Sequence, residues 1–142
     1  MLSRNLRGVF ANHSEGLRSI VQKGYRERVM HTTKLLKLDG TVVAARCRIA
    51  RSPWSRMRGL LGRASLEHGE AMLFRPAGSI HMFFMRFTID AIFCDRDLVV
   101  LEVVSSLRPW RMASHRGAKV VIELAEGAAA GVQPGDRLSL GA

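Results

Sequence analysis

Thr33-Lys34-Leu35-Leu36-Lys37-Leu38-Asp39-Gly40-Thr41-Val42-Val43-Ala44-Ala45-Arg46-Cys47 decides the fold class. Two runs of strand-forming residues flank Asp39-Gly40, a dipeptide whose members both tolerate positive φ and so close a tight antiparallel turn. The segment predicts a β-hairpin at the start of an ordered domain.

Toward the C-terminus the signals stay short and closely spaced. Ser52 can cap a helix and Pro53 suits its first position. At 100° per residue Trp54, Met57 and Leu61 then share one face, Arg58 falls on its apolar edge, and Gly59 and Gly62 end it. Further strands are expected at Ala71–Phe74, Ile89–Cys94, Leu98–Ser105, Val120–Leu124 and Arg137–Leu140, with an Ala-rich turn of helix over Ala128–Val132. Short strands about every ten residues, separated by turn signals, predict a mainly β domain. A barrel or sandwich of antiparallel hairpins with one or two short α-helices is expected.

Toward the N-terminus the pattern is lost. Met1 to Ser14 carry Arg4 and Arg7 but no acid, and no apolar stretch there has the length of a secretory signal core. Residues 1–30 read as a mobile tail, an Arg-rich organelle-type presequence, or translated sequence upstream of a start at Met30. Residues 31–142 read as one compact domain, a size that supports a proper core.

Composition narrows the class. The chain has 142 residues, 47 % hydrophobic, a globular proportion. No apolar run reaches the roughly 18 residues of a membrane-spanning helix, so a soluble cytoplasmic protein without a membrane partner is expected. Cys47 and Cys94, far apart within strand-like runs, read as buried thiols rather than a disulfide framework. The formal net charge of +10 favours anionic partners without bearing on the fold.

Several segments, in order, resemble the prokaryotic family known as domain of unknown function 192. They are Arg58-Gly59-Leu60-Leu61-Gly62-Arg63, Ala71-Met72-Leu73-Phe74 and His81-Met82-Phe83-Phe84-Met85-Arg86-Phe87-Thr88-Ile89-Asp90-Ala91-Ile92-Phe93, followed by Val121–Gly127 and Gly131–Asp136. Each is weak alone; the ordered set, running from about Thr32 to the C-terminus, is specific. The chain departs from the family pattern at Ala71, where Gly is usual, at Phe84, where Trp is common, and near Phe87, where Asn occurs. The resemblance implies a compact, mostly β domain and brings no established activity with it.

Three acids are candidates for acid–base chemistry. Asp90 interrupts an apolar strand and needs donors, a cation or a proton. A three-residue turn at Asp95-Arg96-Asp97 would set it opposite Glu102, whereas a shift of one residue would not. Arg58 and Arg86 are the candidates to neutralise these acids, and Glu123, the third, is a second possible partner for Arg58, as a buried structural pair or as an active-site group.

His81 and His115 lack a second ligand at metal-binding spacing, so neither a metal nor another cofactor is expected. The cluster Met82, Phe83, Phe84, Met85 and Phe87 must turn some apolar side chains outward unless buried on both sides. Trp110 sits between Arg108 and Arg111, a pattern able to meet phosphates and stack on bases, although no nucleic-acid-binding motif accompanies it. The favoured reading is a binding module for an anionic small molecule or polymer. Its surface would use Arg58, His81, Met85, Arg86, Trp110 and Arg111. The alternatives are a carboxylate enzyme using Asp90 with Glu102 or Glu123, a salt-sensitive nucleic-acid binder, and a plain interaction domain. Oligomeric state has no signature.

Overall fold

The computed structural model describes residues 32–50 and 63–141, which hold nine strands. The hairpin at Asp39-Gly40 is present: β1 (Thr32–Lys37) and β2 (Val42–Ala50) pair antiparallel, and Gly40 has a φ of 88°. Asp39 Oδ1 accepts the Thr41 amide at 2.9 Å, which tightens the turn.

The remaining strands are β3 (Glu70–Phe74), β4 (Ser79–His81), β5 (Ile89–Cys94), β6 (Val100–Leu107), β7 (Met112–Ser114), β8 (Val120–Ala125) and β9 (Leu138–Gly141). Seven of them form one sheet in the order β6-β5-β8-β3-β2-β1-β9, while β4 and β7 form a separate ribbon. All pairs are antiparallel but one. β2 and β3 run parallel, in a register from Arg46–Glu70 to Ala50–Phe74, so the chain between them crosses over instead of turning back. The two edges of the sheet meet at one end through an antiparallel bridge between Val99 and Arg137. There the Val100 amide donates to the Asp136 carbonyl at 2.8 Å and the Leu138 amide to the Leu98 carbonyl at 2.9 Å. These bonds close the sheet into a ring at that end.

β3, β5 and β8 are buried along their whole length. Strands covered on both faces read as unbroken apolar runs, which is why Ala71–Phe74 and Val120–Leu124 show little alternation. On the inner face Leu35, Cys47, Leu73, Ile92, Cys94, Val120, Ile122 and Leu124 pack together with Ala129, Val132 and Leu138. On the outer face Met72, Phe74, Ile89, Phe93 and Val121 lie beneath Ile80 and Met82. Phe93 alone, fully buried, contributes about 2 to 3 kcal/mol of apolar transfer free energy.

The expectation of short helices needs correction. Among the described residues there is no helix, and Ala128–Val132 runs as successive turns. Its amides bond three residues back: Ala128 to the Ala125 carbonyl, Ala130 to Gly127 and Val132 to Ala129. The Ala129 amide is taken by the Asp90 carboxylate at 3.0 Å, so a four-residue ladder cannot start, and Pro134 stops any later one. The helix expected from Ser52 to Gly62, with Trp54 and Arg58, lies outside the described residues, as does the segment 1–30.

The pairing of Asp90 with Glu102 is also corrected. Asp95 Oδ1 accepts the amides of Asp97 at 2.8 Å and Val99 at 3.0 Å, and Leu98 adopts a φ of 63°. The resulting wider turn makes Cys94 face Val100 and Phe93 face Glu102. A bulge then places two residues of β6, Ser105 and Ser106, opposite Asp90.

Candidate functional site

The ribbon is short and two-faced. Ser79 pairs with Ser114, Ile80 with Ala113 and His81 with Met112. Strand alternation turns Ile80 and Ala113 into the outer core and leaves His81 and Met112 exposed on the far side. Beyond His81 both strands end in tight turns locked to each other. The Met82 amide donates to the Arg111 carbonyl at 2.8 Å, and the Trp110 amide donates to the Met82 carbonyl at 2.8 Å. The Met85 amide closes one turn on Met82 at 3.3 Å, and the Arg111 amide closes the other on Arg108 at 3.3 Å.

Each turn places a bulky aromatic where glycine is usual. Phe84 has a φ of 63° and Trp110 a φ of 66°. Left-handed backbone at a non-glycine residue costs about 1 to 2 kcal/mol. Neither ring recovers this by burial, since Phe84 is 71 % and Trp110 60 % exposed. The rings instead contact one another: His81 stacks on Phe83 with centroids 5.0 Å apart, Phe83 lies 6.0 Å from Trp110, and Trp110 lies 4.9 Å from Phe84. Met112, also largely exposed, adjoins this chain of four rings through its pairing with His81.

The two segments that carry the rings hold charge of one sign. Residues 71–89 and 103–122, which contain the ribbon and its turns, hold Arg75, Arg86, Arg108, Arg111, Arg116 and Lys119 and no acid. All six cations are exposed. The acids that border these segments are withdrawn from the surface: Asp90, Glu70 and Glu123 are buried, and Glu102 is half-buried.

The ribbon brings together His81, Trp110 and Arg111, and Arg86 follows directly on the Phe84 turn. Met85 is buried in the outer core beneath that turn. Arg58 lies outside the described residues. Phe83 and Phe84 are the outward members of the Phe/Met run, and Met112 joins them although the sequence did not assign it to the surface.

The acids are scattered. Asp90 is sealed inside, and its two oxygens accept the Ser106 and Ala129 amides at 3.0 Å each. Glu102 lies on the sheet edge opposite Phe93. Glu123 sits between Met72 and Ala91 in the outer face, where burial pushes its carboxyl up to about 8. No hydrogen bond or ion pair ties it to another described residue. A second acid on that face, Glu70, behaves oppositely. Burial works against its charge, but the Glu67 amide at 3.3 Å, Arg63 at 2.9 Å and Arg48 at 3.8 Å outweigh it and hold the carboxyl below its usual range. Sequence reasoning passed over this cluster, although Arg46 and Arg48 share one face of β2 and Arg46 pairs with Glu70.

The inner-face thiols are inert by the same logic. Burial pushes Cys47 up to about 11; burial, aided by Asp95, pushes Cys94 up to about 12. Among the described residues no three His, Cys, Asp or Glu side chains are grouped as metal ligands, and no helix is long and apolar enough to cross a membrane.

Residues 34–140 match the model of domain of unknown function 192, described as Uncharacterized ACR. A UPF0127 protein of Thermococcus sibiricus is 36 % identical over 92 residues, covering 61 % of this chain and 59 % of that protein. The chain thus spans under two thirds of that relative's length. A UPF0127 protein of Pyrococcus abyssi is 34 % identical over 102 residues, 67 % of this chain and 80 % of its own. Two crystal structures share the fold at 24 % identity. One, a protein of unknown function from Novosphingobium aromaticivorans, has a TM-score of 0.65 over 76 % of this chain and 83 % of that one. The other, a candidate transcription regulator from Sinorhizobium meliloti, has a TM-score of 0.66 over 76 % and 91 %.

Proposed function

This chain belongs to the family known as domain of unknown function 192, which brings no activity with it, and from the β4–β7 ribbon we propose that it is a binding module holding an anionic polymer there. The observation that carries this reading is that segments 71–89 and 103–122 hold six exposed cations, no acid and a chain of four aromatic rings, two of them held in costly backbone conformations. A patch of one sign attracts polyanions over long range, and fixed rings supply contact area at little further ordering cost. Strain of this kind clusters at functional sites, and here, unlike at Leu98 and Ser106, it falls on exposed aromatic rings.

The test is a binding isotherm for inorganic polyphosphate and for a short oligodeoxythymidylate over a salt series. Counterion release gives a falling line of log affinity against log salt, with a slope of about −0.7 per phosphate contacted on a single strand. Replacing Arg108 and Arg111 by Ala should flatten it by about one to two units. Salt-independent binding, or a slope unmoved by these changes, would remove the ribbon from the explanation.

Glu123 favours a second reading, an acid–base enzyme. A carboxyl raised to about 8 is protonated at neutral pH and can donate, while Glu70 nearby on the same face stays ionised. Under this reading Glu123→Gln would abolish a turnover that Trp110→Ala leaves intact.

A further inference from the structure

We infer that the polymer held by the ribbon is a single-stranded nucleic acid, its bases stacking on Trp110 and Phe84 while Arg86, Arg108 and Arg111 take the phosphates. The inference rests on the anion-binding reading above and deepens it. Positive charge alone would suit any polyanion; the rings discriminate. Polyphosphate and sulfated sugars present no π face, and duplex DNA keeps its base faces covered. An unpaired strand offers both things this surface can use: a charged backbone and flat, exposed rings.

The type of cation points the same way. Five of the six in segments 71–89 and 103–122 are Arg and only Lys119 is not. The guanidinium is planar, binds phosphate with two hydrogen bonds and stacks on bases, whereas an ammonium is a point charge. Placement agrees as well. Arg108 and Arg111 begin and end the Trp110 turn, Arg86 directly follows the Phe84 turn, and the two turns are joined through the Met82 backbone. Rings and cations are therefore held on one frame.

An anionic lipid surface is the rival occupant. Membrane-seeking loops present apolar wedges that enter the acyl region. Here His81 stacks on Phe83 at an interplanar angle of 28°, Trp110 leans 32° from Phe83 and Phe84 stands 59° from Trp110, so the rings present separate faces rather than one aligned wedge.

The experiment compares four probes with the full chain at one salt concentration: an oligodeoxythymidylate of about 12 nucleotides, an abasic deoxyribose-phosphate strand of equal length, a duplex of equal length, and vesicles of phosphatidylcholine with phosphatidylglycerol. The abasic strand keeps the charge and loses the bases. The inference expects the oligothymidylate to bind at least about tenfold more tightly than the abasic strand or the duplex, since each stacked base contributes about that factor or more. It expects Phe84→Ala with Trp110→Ala to erase this preference while leaving abasic binding within about twofold. Trp110→Phe should restore most of the preference and serves as the folded control. Equal affinity for thymidylate and abasic strands would overturn the nucleic-acid inference and leave the anion-binding reading standing. Failure to bind either strand would overturn both. Vesicle binding lost with Trp110→Ala, without any preference for bases, would overturn the inference in favour of a membrane face.

Discussion

Asp90→Asn should strongly destabilise the domain, by a magnitude that follows from the two hydrogen bonds of this side chain. One carboxylate oxygen accepts the Ser106 amide in the β6 bulge, the other accepts the Ala129 amide in the turn after β8, both at 3.0 Å, and the side chain is almost wholly buried. Asparagine has a single acceptor oxygen, so one amide loses its partner and faces an NH2 group. A hydrogen bond to a charged group contributes about 1.5 to 3 kcal/mol, and a buried donor left unmade costs about 1 to 3 kcal/mol. The expected loss is about 3 kcal/mol, a large share of the 5 to 15 kcal/mol that typically holds a domain together. With a urea m-value of about 1.5 kcal/mol/M, the unfolding midpoint should fall by about 2 M. Amide exchange should accelerate first at Ser106 and Ala129, because the bulge and the turn are the local structures released. A change below about 0.5 kcal/mol would refute the reasoning, for it would mean that the carboxylate does not hold these segments in place.

Glu123 makes stability fall as pH rises from about 4.5 to about 8, because in that window the folded chain binds a proton that the unfolded chain has released. Urea midpoints of the parent should therefore decline across this range while those of Glu123→Gln decline less; parallel curves would contradict the burial argument. Glu70 acts with the opposite sign, its carboxyl being held low, so Glu70→Gln should cost stability at neutral pH and less as pH falls below the usual carboxylate range. Phe84→Gly relieves a positive φ at an exposed position and should raise the unfolding free energy by about 1 kcal/mol while weakening oligothymidylate binding; a loss above about 1 kcal/mol would mean that the ring supports the fold. Cys47 and Cys94 should resist a disulfide reagent in the native protein and react on unfolding, whereas rapid native reaction would contradict their burial.

What the sequence made legible was local and strongly encoded. Asp39-Gly40 specified the first hairpin because few dipeptides accept its turn, and the apolar runs at Ala71–Phe74, Ile89–Cys94 and Val120–Leu124 marked strands. The parallel pairing of β2 with β3 left no local trace, since a crossover is set by where the returning chain packs. Register was illegible for a related reason. Asp95 captures two amides and widens its own turn, and this small side-chain choice moves Glu102 away from Asp90. The Ala-rich segment was misread as helical because propensity counts residues and not competitors: a buried carboxylate from another strand takes its amide. On the candidate site, Trp110 between two arginines was visible as a pattern. The pairing that joins it to His81 and the Phe run was not, because β4 and β7 are too short to declare themselves.

The ribbon also bears on the choice between a binding surface and a merely tolerated patch. In the central strands of the main sheet local preference and global structure largely agree: strand formers pair, the apolar side chains of β3, β5 and β8 are covered, and Asp90 has its two donors. In the turns of the ribbon three ordinary rules fail together within a few residues. Bulky aromatics occupy left-handed backbone, large apolar surfaces face water, and the segments that carry them hold exposed cations and no acid. Any one failure could be a neutral accident of about 1 kcal/mol. All three work against stability and none is offset within the ribbon, since the rings touch mainly one another. A partner that covers the rings and neutralises the arginines offsets the exposure and the charge at once, and the backbone strain is then what keeps Phe84 and Trp110 in position to receive it.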